Sequence, residues 1–312
     1  MKRSYVLAPE DRANESLRQV FEFLLHALRA NVSGVLEDSH PEYLHDLRVA
    51  TRRTRTALTQ MKGVVPLTVK EAFAPEFRWL GAITGPLRDL DVHLIAFPAY
   101  HRIADVQPDL LGELQTFLED ARRSESRIVT TAIRSARFQR LIEGWSGYLE
   151  SDFGPEEGLR LASASIGDVA AARIFKAYRR IRKRGAGACP NAPAALLHRL
   201  RIDGKKLRYL LEFFADLFPR ETVKQFVAEL KQLQDILGEF NDTEVRLTHL
   251  RQFEERSCDV TTATRLTRTK TSRMTEVIAE HQLELRTEFV ERFTRFSSAE
   301  SHRMYKETFK PL

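Results

Sequence analysis

The sequence has little cysteine and no long apolar run, and both absences narrow the class of protein. Its two cysteines, Cys189 and Cys258, form no CxxC pair, so the sequence indicates neither a disulfide framework nor a thiolate metal site. No apolar run approaches the roughly 20 residues that span a bilayer, and the first residues lack the apolar core of a secretory signal. We therefore expect a cytoplasmic protein without membrane contacts, and we expect no cofactor and no bound metal.

Alternating β-branched runs bounded by turn residues are also scarce. Apolar residues recur instead at spacings of three and four through most of the 312 residues. This periodicity predicts an all-α protein. The hydrophobic fraction of 43% and the charged fraction of 29% are typical of a globular chain with a sizeable core.

Lysine is scarce relative to arginine, with 12 lysines against 37 arginines at a net charge of +6. The guanidinium group presents a planar fork of donors that matches two phosphate oxygens at once, whereas the lysine ammonium is a point charge. An acidic, phosphate-bearing partner would favour this composition. A GC-rich genome would also raise the arginine share, so composition leaves both explanations open.

Basic side chains form a stripe on two predicted helices, at Leu44–Leu58 and at Leu197–Leu211. At about 100° per residue, the members of each stripe fall within roughly one quarter of the helix circumference. An apolar sector adjoins each stripe, which predicts that both helices pack against a core. The first stripe consists of His45, Arg48, Arg52 and Arg55, and the second stripe consists of His198, Arg201, Lys205 and Arg208.

The two stripes lie 153 residues apart and belong to a longer repeat. Six of the fifteen paired residues in these windows are identical, where unrelated windows would share roughly one. The windows Leu80–Leu94 and Leu233–Leu247 align at the same offset and pair Asp89 with Asp242. We interpret the chain as an internal duplication, with repeat one at about 10–150, a connector at about 151–168 and repeat two at about 169–312.

Proline and glycine positions divide each repeat into four predicted helices. Short connections between long helices favour antiparallel neighbours, so each repeat is predicted to be an up-and-down four-helix bundle. Gly85-Pro86 predicts a kink or break within the third helix. Two bundles related by a pseudo-twofold axis would bring the stripes together around one basic cavity or channel. The predicted helices lie near 10–37, 41–62, 68–102, 108–150, 169–184, 194–218, 221–253 and 262–309.

Four motifs carry a resemblance to a known family. They are H-x-x-R-V-x-x-R-R-x-R at His45–Arg55, R-D-x-D-V at Arg88–Val92, H-x-x-R-x-x-x-K-x-L-R-Y at His198–Tyr209 and L-x-x-x-L-G-x-x-N-D at Leu233–Asp242. In this order they resemble the CHAD family, the conserved histidine α-helical domain, over nearly the whole chain. The resemblance implies two four-helix bundles around a basic cavity and binding of inorganic polyphosphate. Many relatives also carry a hydrolase signature, E-x-E-x-K, which this sequence lacks, and we therefore predict a stand-alone binding module.

The resemblance also implies which residues contact polyphosphate. Matching the motifs residue by residue places that role on His45, Arg48, Arg52, Arg53, Arg55, His198, Arg201, Lys205, Lys206 and Arg208. A further set of basic residues is a candidate extension of the site, namely Arg29, Arg88, Arg179, Arg182 and Lys183. Nearby arginines disfavour protonation of the two stripe histidines until an anion binds, so binding is predicted to strengthen as the pH falls toward about 6.

Several alternatives remain open from the sequence. Asp89, Asp91, Asp242 and Glu244 would suit Mg²⁺ in a phosphohydrolase, but structural ion pairs with neighbouring arginines are the preferred interpretation. A polyphosphate hydrolase or phosphotransferase would use His45 or His198 as a nucleophile. Nucleic acid is a weaker candidate partner, because single-strand binders alternate basic residues with aromatic platforms and Tyr209 is nearly alone in that role.

Overall fold

The computed structural model describes residues 5–103, 108–151, 159–256 and 263–309, with the side chains of 263–270 outside the description. Within these ranges every regular element is helical, which confirms the all-α prediction. Two short 3-10 helices, Phe97–Arg102 and Ala215–Leu217, accompany the α-helices. The α-helices are α1 (Ala13–Ala30), α2 (Val32–Leu36), α3 (Pro41–Gln60), α4 (Leu67–Ile83), α5 (Gly85–Ala96), α6 (Pro108–Ile133), α7 (Ala136–Glu150), α8 (Ile166–Gly185), α9 (Ala194–Phe213), α10 (Arg220–Arg256), α11 (Ala263–Phe296) and α12 (Ala299–Phe309).

Several of the long predicted helices are divided by local signals. The predicted helix 68–102 forms α4, α5 and a 3-10 turn, and Pro86 lies in the first turn of α5. Proline fits there because its missing N–H has no helical partner, so the break predicted at Gly85-Pro86 is confirmed. The predicted helix 108–150 divides at Ser135, whose hydroxyl accepts a hydrogen bond from the Phe138 N–H at 3.3 Å.

The predicted connector is shorter than expected at its C-terminal end. Helix α8 begins at Ile166, two residues before the expected end of the connector at Asp168. Ser165 explains this start, because its hydroxyl accepts a hydrogen bond from the Asp168 N–H at 3.3 Å and caps the helix. Connector residues 152–158 lie outside the described residues, as do the helix boundaries predicted at 106–107 and 262.

Helix boundaries in the two halves coincide at the offset seen in the sequence. Helices α3 and α9 each contain 20 residues and begin at Pro41 and Ala194, which are 153 positions apart. The starts of α1 and α8, at Ala13 and Ile166, have the same separation. Corresponding helices also pack against each other, α1 against α8, α3 against α9, and α5 against α10. The helices that carry the sequence motifs, α3 and α5 in the first half and α9 and α10 in the second, are therefore in contact with each other.

Two of these contacts join residues at corresponding positions. The Ala13 N–H donates to the Ala164 carbonyl at 2.9 Å, and the Ile166 N–H donates to the Asp11 carbonyl at 2.8 Å. Where α5 meets α10, corresponding residues line a small enclosed cavity from both sides. They are Asp89, Val92 and His93 from α5 and Asp242, Val245 and Arg246 from α10.

Buried apolar side chains form two clusters. The larger one unites α1, α3, α8 and α9 with parts of the neighbouring helices, and the smaller one lies among α5, α6, α10 and α11. Helix α5 contributes Leu87 to the larger cluster and Leu90 to the smaller one. Burial of these faces fixes the rotation of α3 and α9 about their axes, and therefore the direction of their stripes. No helix among the described residues is long and apolar enough to cross a lipid bilayer.

Candidate anion-binding site

Arg48 of the first stripe is anchored to the junction between α4 and α5. Its guanidinium donates hydrogen bonds of 2.9 Å to the Gly81 carbonyl and to the Thr84 hydroxyl. Burial is the main cause that lowers the pKa of Arg48, to about 10, with Asp89 opposing it and the charge of Arg201 adding to it. The break in α4–α5 thus supplies the acceptors that hold this cation in place.

Arg52 and Arg53 connect the two striped helices. Arg52 Nε donates to the Tyr209 hydroxyl at 2.6 Å, and Arg53 forms an ion pair with Glu212 at 2.7 Å. Arg53 also lies over the rings of Tyr209 and Phe213, at 5.4 and 5.2 Å from their centroids. Cation–π contacts of this kind add to the attraction between helices. The contacts hold the first stripe beside the second.

The second stripe contains cations with less compensation. Burial is the main cause that lowers the pKa of Arg201, and its Nε has no hydrogen-bond partner among the described residues. Burial and the charges of Arg52, Arg201 and Arg208 lower the pKa of Lys205 to about 6, against weak opposition from Asp242. Lys205 is therefore mostly uncharged at neutral pH in the free protein.

Asp89 and Asp242 lie between the two stripes. Burial raises the pKa of each carboxyl, while Arg48 acts most strongly to lower that of Asp89 and Arg201 that of Asp242. The charge of Asp242 also raises the pKa of Asp89, which shows that the two carboxylates are near neighbours. They compensate part of the cationic charge, Asp89 mainly that of Arg48 and Asp242 mainly that of Arg201.

The other two carboxylates have structural roles. Asp91 is buried and forms an ion pair with Arg122 at 2.8 Å, as the preferred interpretation of the sequence predicted, although its partner comes from α6. Glu244 instead accepts a hydrogen bond from Gln282 at 2.6 Å. Within the described residues no group of three or more His, Cys, Asp or Glu side chains is placed to hold a metal ion.

The two stripe histidines occupy different environments. His45 is partly buried, and burial lowers its pKa, with the charge of Arg88 acting in the same direction. Glu42 and Asp46 oppose this effect; they are close in sequence, but the sequence interpretation considered only the cations. His198 is exposed on α9. His45 and His198 therefore do not occupy equivalent sites.

The outer basic residues of the two helices have neighbours both on their own helix and on other helices. Burial, followed by the charge of Arg78 on α4, lowers the pKa of Arg55. Arg208 lies 3.4 Å from Glu212. Lys206 forms an ion pair with buried Asp203 at 3.6 Å, and that carboxylate also pairs with Arg180 and Arg184 of α8. The sequence interpretation missed Arg78 because it lies on a different helix. It also missed Asp203 and Glu212, although their spacing from Lys206 and Arg208 on one helix is visible in the sequence, because it considered only the basic residues.

The candidate extension residues do not form one group. Arg88 lies close enough to His45 and Arg48 to lower the pKa of both side chains. Arg179, Arg182 and Lys183 instead line a separate groove between α8 and α12, and Arg29 is exposed on α1. A groove of about 1000 Å³ reaches Arg53 and Glu212 at the edge of the second stripe. A channel lined by both stripes remains a prediction.

The fold and the site define an all-α protein in which two corresponding helices carry one cationic cluster. The sequence matches the CHAD domain over residues 19–251, and the chain belongs to the CHAD family. It is 28% identical over 250 residues to the uncharacterized proteins Rv2226 and MT2285 of two Mycobacterium tuberculosis strains, H37Rv and CDC 1551. The alignment covers 78% of this chain and 46% of each relative, so the chain spans about half the length of these curated relatives.

Solved structures share the fold at low sequence identity. The crystal structure of the CHAD domain from the plant Ricinus communis superposes with a TM-score of 0.74 at 22% identity, covering 100% of this chain and 97% of that one. PptA from Streptomyces chartreusis gives a TM-score of 0.69 at 16% identity, covering 91% and 100% of the two chains. These likenesses support the helical architecture across the whole chain.

Proposed function

We propose that this protein binds inorganic polyphosphate without catalysis, at the cationic cluster formed by both stripes. The observation that carries the proposal is the proximity of four basic side chains, Arg48, Arg52, Arg201 and Lys205. The charges of Arg52 and Arg201 lower the pKa values of Arg48 and Lys205, and the charge of Arg52 lowers that of Arg201. Polyphosphate carries about one negative charge per unit and has no bases, so repeated cationic donors on a rigid surface are sufficient to bind it. A bound chain would relieve the repulsion among these cations.

The same proposal includes an internal duplication with a pseudo-twofold axis between the repeats. Support comes from the reciprocal hydrogen bonds of Ala13 and Ile166, and from the matched residues that α5 and α10 contribute to one cavity. An axis of this kind would pass between Asp89 and Asp242, and it would relate Arg48 to Arg201. Both repeats would then contribute to one site and not to two separate ones.

A catalytic role for the histidines has little support from their surroundings. A nucleophilic histidine needs an orienting partner or a base within hydrogen-bond reach. Neither His45 nor His198 forms such a hydrogen bond with a described residue. The cluster beside them consists of arginines and a lysine, which in their charged form are not bases. We therefore propose binding without turnover.

Nucleic acid is disfavoured by the position of the aromatic ring in the second stripe. Tyr209 is 1% exposed. The guanidinium groups of Arg52, Arg53 and Arg208 lie over its ring at 5.8, 5.4 and 5.6 Å. A base has no free face of this ring on which to stack, and base–aromatic stacking contributes roughly 1–3 kcal/mol per base to single-strand binding. The cluster therefore suits an anion without bases.

Fluorescence anisotropy of labelled long-chain polyphosphate tests this proposal at about 0.15 M salt. We expect tight, salt-sensitive binding to the wild type and a large loss in the Arg52→Gln/Arg201→Gln variant. The matched control is Arg127→Gln/Arg134→Gln, which removes two exposed arginines from α6 and the turn after it. Failure of the wild type to bind, equal losses in both variants, or displacement by RNA at equal phosphate concentration would contradict the proposal.

Binding would also determine where the protein lies in a cell that stores polyphosphate. We propose that it associates with polyphosphate granules, because multivalent anions on a granule surface would retain a cationic cluster. A fluorescent fusion should co-localise with stained granules in wild-type form and become diffuse in the Arg52→Gln/Arg201→Gln variant. A fusion that is diffuse in both forms would contradict granule association without affecting the binding proposal.

A further inference from the structure

A second cationic surface lies outside the stripes, in a groove between α8 and α12 of about 1160 Å³. Helix α8 contributes six basic side chains, Lys176, Arg179, Arg180, Arg182, Lys183 and Arg184, and His302 of α12 forms part of the opposite wall. Among the residues that the structure describes, no Asp or Glu lines it. We call this surface the α8 groove.

The α8 groove is confined to repeat two. At the offset of 153, the six basic positions correspond to Phe23, His26, Ala27, Arg29, Ala30 and Asn31 of repeat one. The adjoining position, Phe175, corresponds to Glu22, and His302 corresponds to Leu149. Both α1 and α8 fold as helices at these positions, so the shared fold does not require this charge. The additional basic residues of α8 therefore need another explanation.

Helix-end electrostatics account for only part of the excess. Cations near a helix C-terminus are stabilised by the macrodipole, but this effect is confined to the last turn. Arg182, Lys183 and Arg184 occupy that turn of α8, whereas Lys176, Arg179 and Arg180 precede it. Lys176, Arg179 and Lys183 form no ion pair within the described residues, and Lys176 and Lys183 are exposed. These cations are available to an anion from solvent.

Contacts hold two side chains in the walls of the α8 groove. His302 stacks between Phe175 and Tyr178 with ring centroids 5.9 and 6.0 Å away. Arg182 Nε donates to the Ser297 carbonyl at 3.2 Å, which fixes that guanidinium at the end of α11. His302 Nδ1 is buried without a hydrogen-bond partner among the described residues. A guanidinium that is already held in place, such as that of Arg182, loses less side-chain entropy when an anion binds.

A chain of side-chain contacts connects the α8 groove to the second stripe. Arg180 and Arg184 form ion pairs with Asp203 of α9, and Lys206, next to Lys205, pairs with the same carboxylate. The charges of Arg180 and Arg184 act on Lys206 as well. The two cationic surfaces are therefore adjacent on α8 and α9, and repeat one has no counterpart of this path.

We propose that the α8 groove is a one-sided track that receives the continuation of a polyphosphate chain held at the stripes, and that it makes binding selective for long chains. This inference rests on the proposed function. A long polyanion leaves the stripes past Lys206, continues over Arg180 and Arg184, and enters the groove at Lys176, Arg179 and Lys183. A short anion occupies the stripes alone.

The test compares tripolyphosphate with long-chain polyphosphate on three proteins. They are the wild type, the groove variant Lys176→Gln/Arg179→Gln/Lys183→Gln, and a control of equal charge loss, Arg127→Gln/Arg134→Gln/Arg140→Gln, whose residues are exposed on repeat one. Affinity is measured over a salt series, because each lost phosphate contact lowers the slope of log Kd against log salt by about 0.7 for a flexible single chain.

We expect the groove variant to bind long chains at least about tenfold more weakly, with a salt slope lower by about 2, because three charged contacts are lost. Its affinity for tripolyphosphate should stay within about twofold of the wild type, as should both affinities of the control. Unchanged long-chain affinity, or equal losses for both ligands, would overturn the track while leaving polyphosphate binding intact. Absence of binding to the wild type would instead overturn the proposed function.

Discussion

The two stripes have the same sequence pattern, but their central basic residues differ in hydrogen bonding and charge. In the first stripe, Arg48 donates two hydrogen bonds to the α4–α5 junction, and Arg52 donates to Tyr209. In the second stripe, Arg201 Nε has no partner among the described residues, and Lys205 has a pKa lowered to about 6. Identical spacing therefore does not imply identical function.

The difference assigns distinct tasks to the two repeats. A cation that is already hydrogen-bonded stabilises the fold and offers few free donors to a ligand. A buried cation without a hydrogen-bond partner is costly in the free protein and gains most when an anion arrives. We therefore expect the first stripe to contribute more to stability and the second stripe to contribute more to binding.

The largest expected effect is loss of polyphosphate affinity when the second stripe is neutralised. Arg201→Gln/Lys205→Gln should weaken binding at least about a hundredfold at 0.15 M salt, because each charged hydrogen bond contributes roughly 1.5–3 kcal/mol. Anisotropy titrations measure the affinity, and the control is Arg127→Gln/Arg134→Gln, which replaces the same number of basic residues. A loss no greater than that of the control would remove the second stripe from the site.

The next effect concerns stability and separates Arg48 from Arg201. Arg48→Ala should lower the free energy of unfolding by about 2 kcal/mol, because the Gly81 carbonyl and the Thr84 hydroxyl each lose a charged donor. Arg201→Ala should lower it by less than about 1 kcal/mol, because it breaks no comparable hydrogen bond. Urea denaturation measures both values. Equal destabilisation would contradict the division of tasks.

The third effect is a pH dependence that originates at Lys205. Since its pKa is about 6 in the free protein, a polyanion that restores the charge must bring about proton uptake at pH 7–8. Affinity should then increase about tenfold per unit as the pH falls from 8 toward 6, and level off below that. Titrations at matched salt should show the dependence in the wild type and its loss in Lys205→Arg, whose side chain stays charged.

A matched variant distinguishes this origin from the histidines. His45→Gln should retain the dependence between pH 7 and 8, because burial and Arg88 lower the pKa of His45 and keep it neutral there. Lys205 also gives the free protein a stability that rises with pH between about 6 and 10, since over that range the unfolded chain binds a proton that the folded chain does not. Loss of the pH dependence in His45→Gln alone would contradict the assignment to Lys205.

The smallest effect is expected at the exposed histidine. His198→Ala should change affinity at pH 8 by less than about threefold and the free energy of unfolding by less than about 0.5 kcal/mol, because the side chain is exposed and has no hydrogen bond among the described residues. Anisotropy and urea denaturation measure both quantities. A change as large as that in Arg201→Gln would restore a central role to His198.

Much of the helical fold was predictable from periodicity, because buried faces recur at a fixed interval. The start of α3 at Pro41 and the break at Gly85-Pro86 follow from local proline chemistry. The divisions at Ser135 and Ser298 were missed, because a serine cap between two amphipathic segments leaves the apolar pattern nearly unchanged. Local signals therefore predicted the helices better than their interruptions.

The membership of the cationic cluster was only partly predictable. Spacing on one helix identified Arg48, Arg52, Arg201 and Lys205 as neighbours within their stripes. It gave no information on the acceptors Gly81 and Thr84, which come from a distant helix junction, or on Glu212, which compensates Arg53. The two stripes differ in these tertiary contacts. A pattern that occurs twice in the sequence therefore does not reveal that the two stripes have different partners.

Calorimetric titration of tripolyphosphate tests the central claim most directly, because it counts sites as well as measuring affinity. We predict one high-affinity tripolyphosphate per chain, weakened both by Arg52→Gln in the first stripe and by Lys205→Gln in the second. A single binding event that both substitutions weaken would show that the two stripes form one site. Two independent binding events, one lost in Arg52→Gln and the other lost in Lys205→Gln, would contradict the account. No binding by the wild type would contradict it as well.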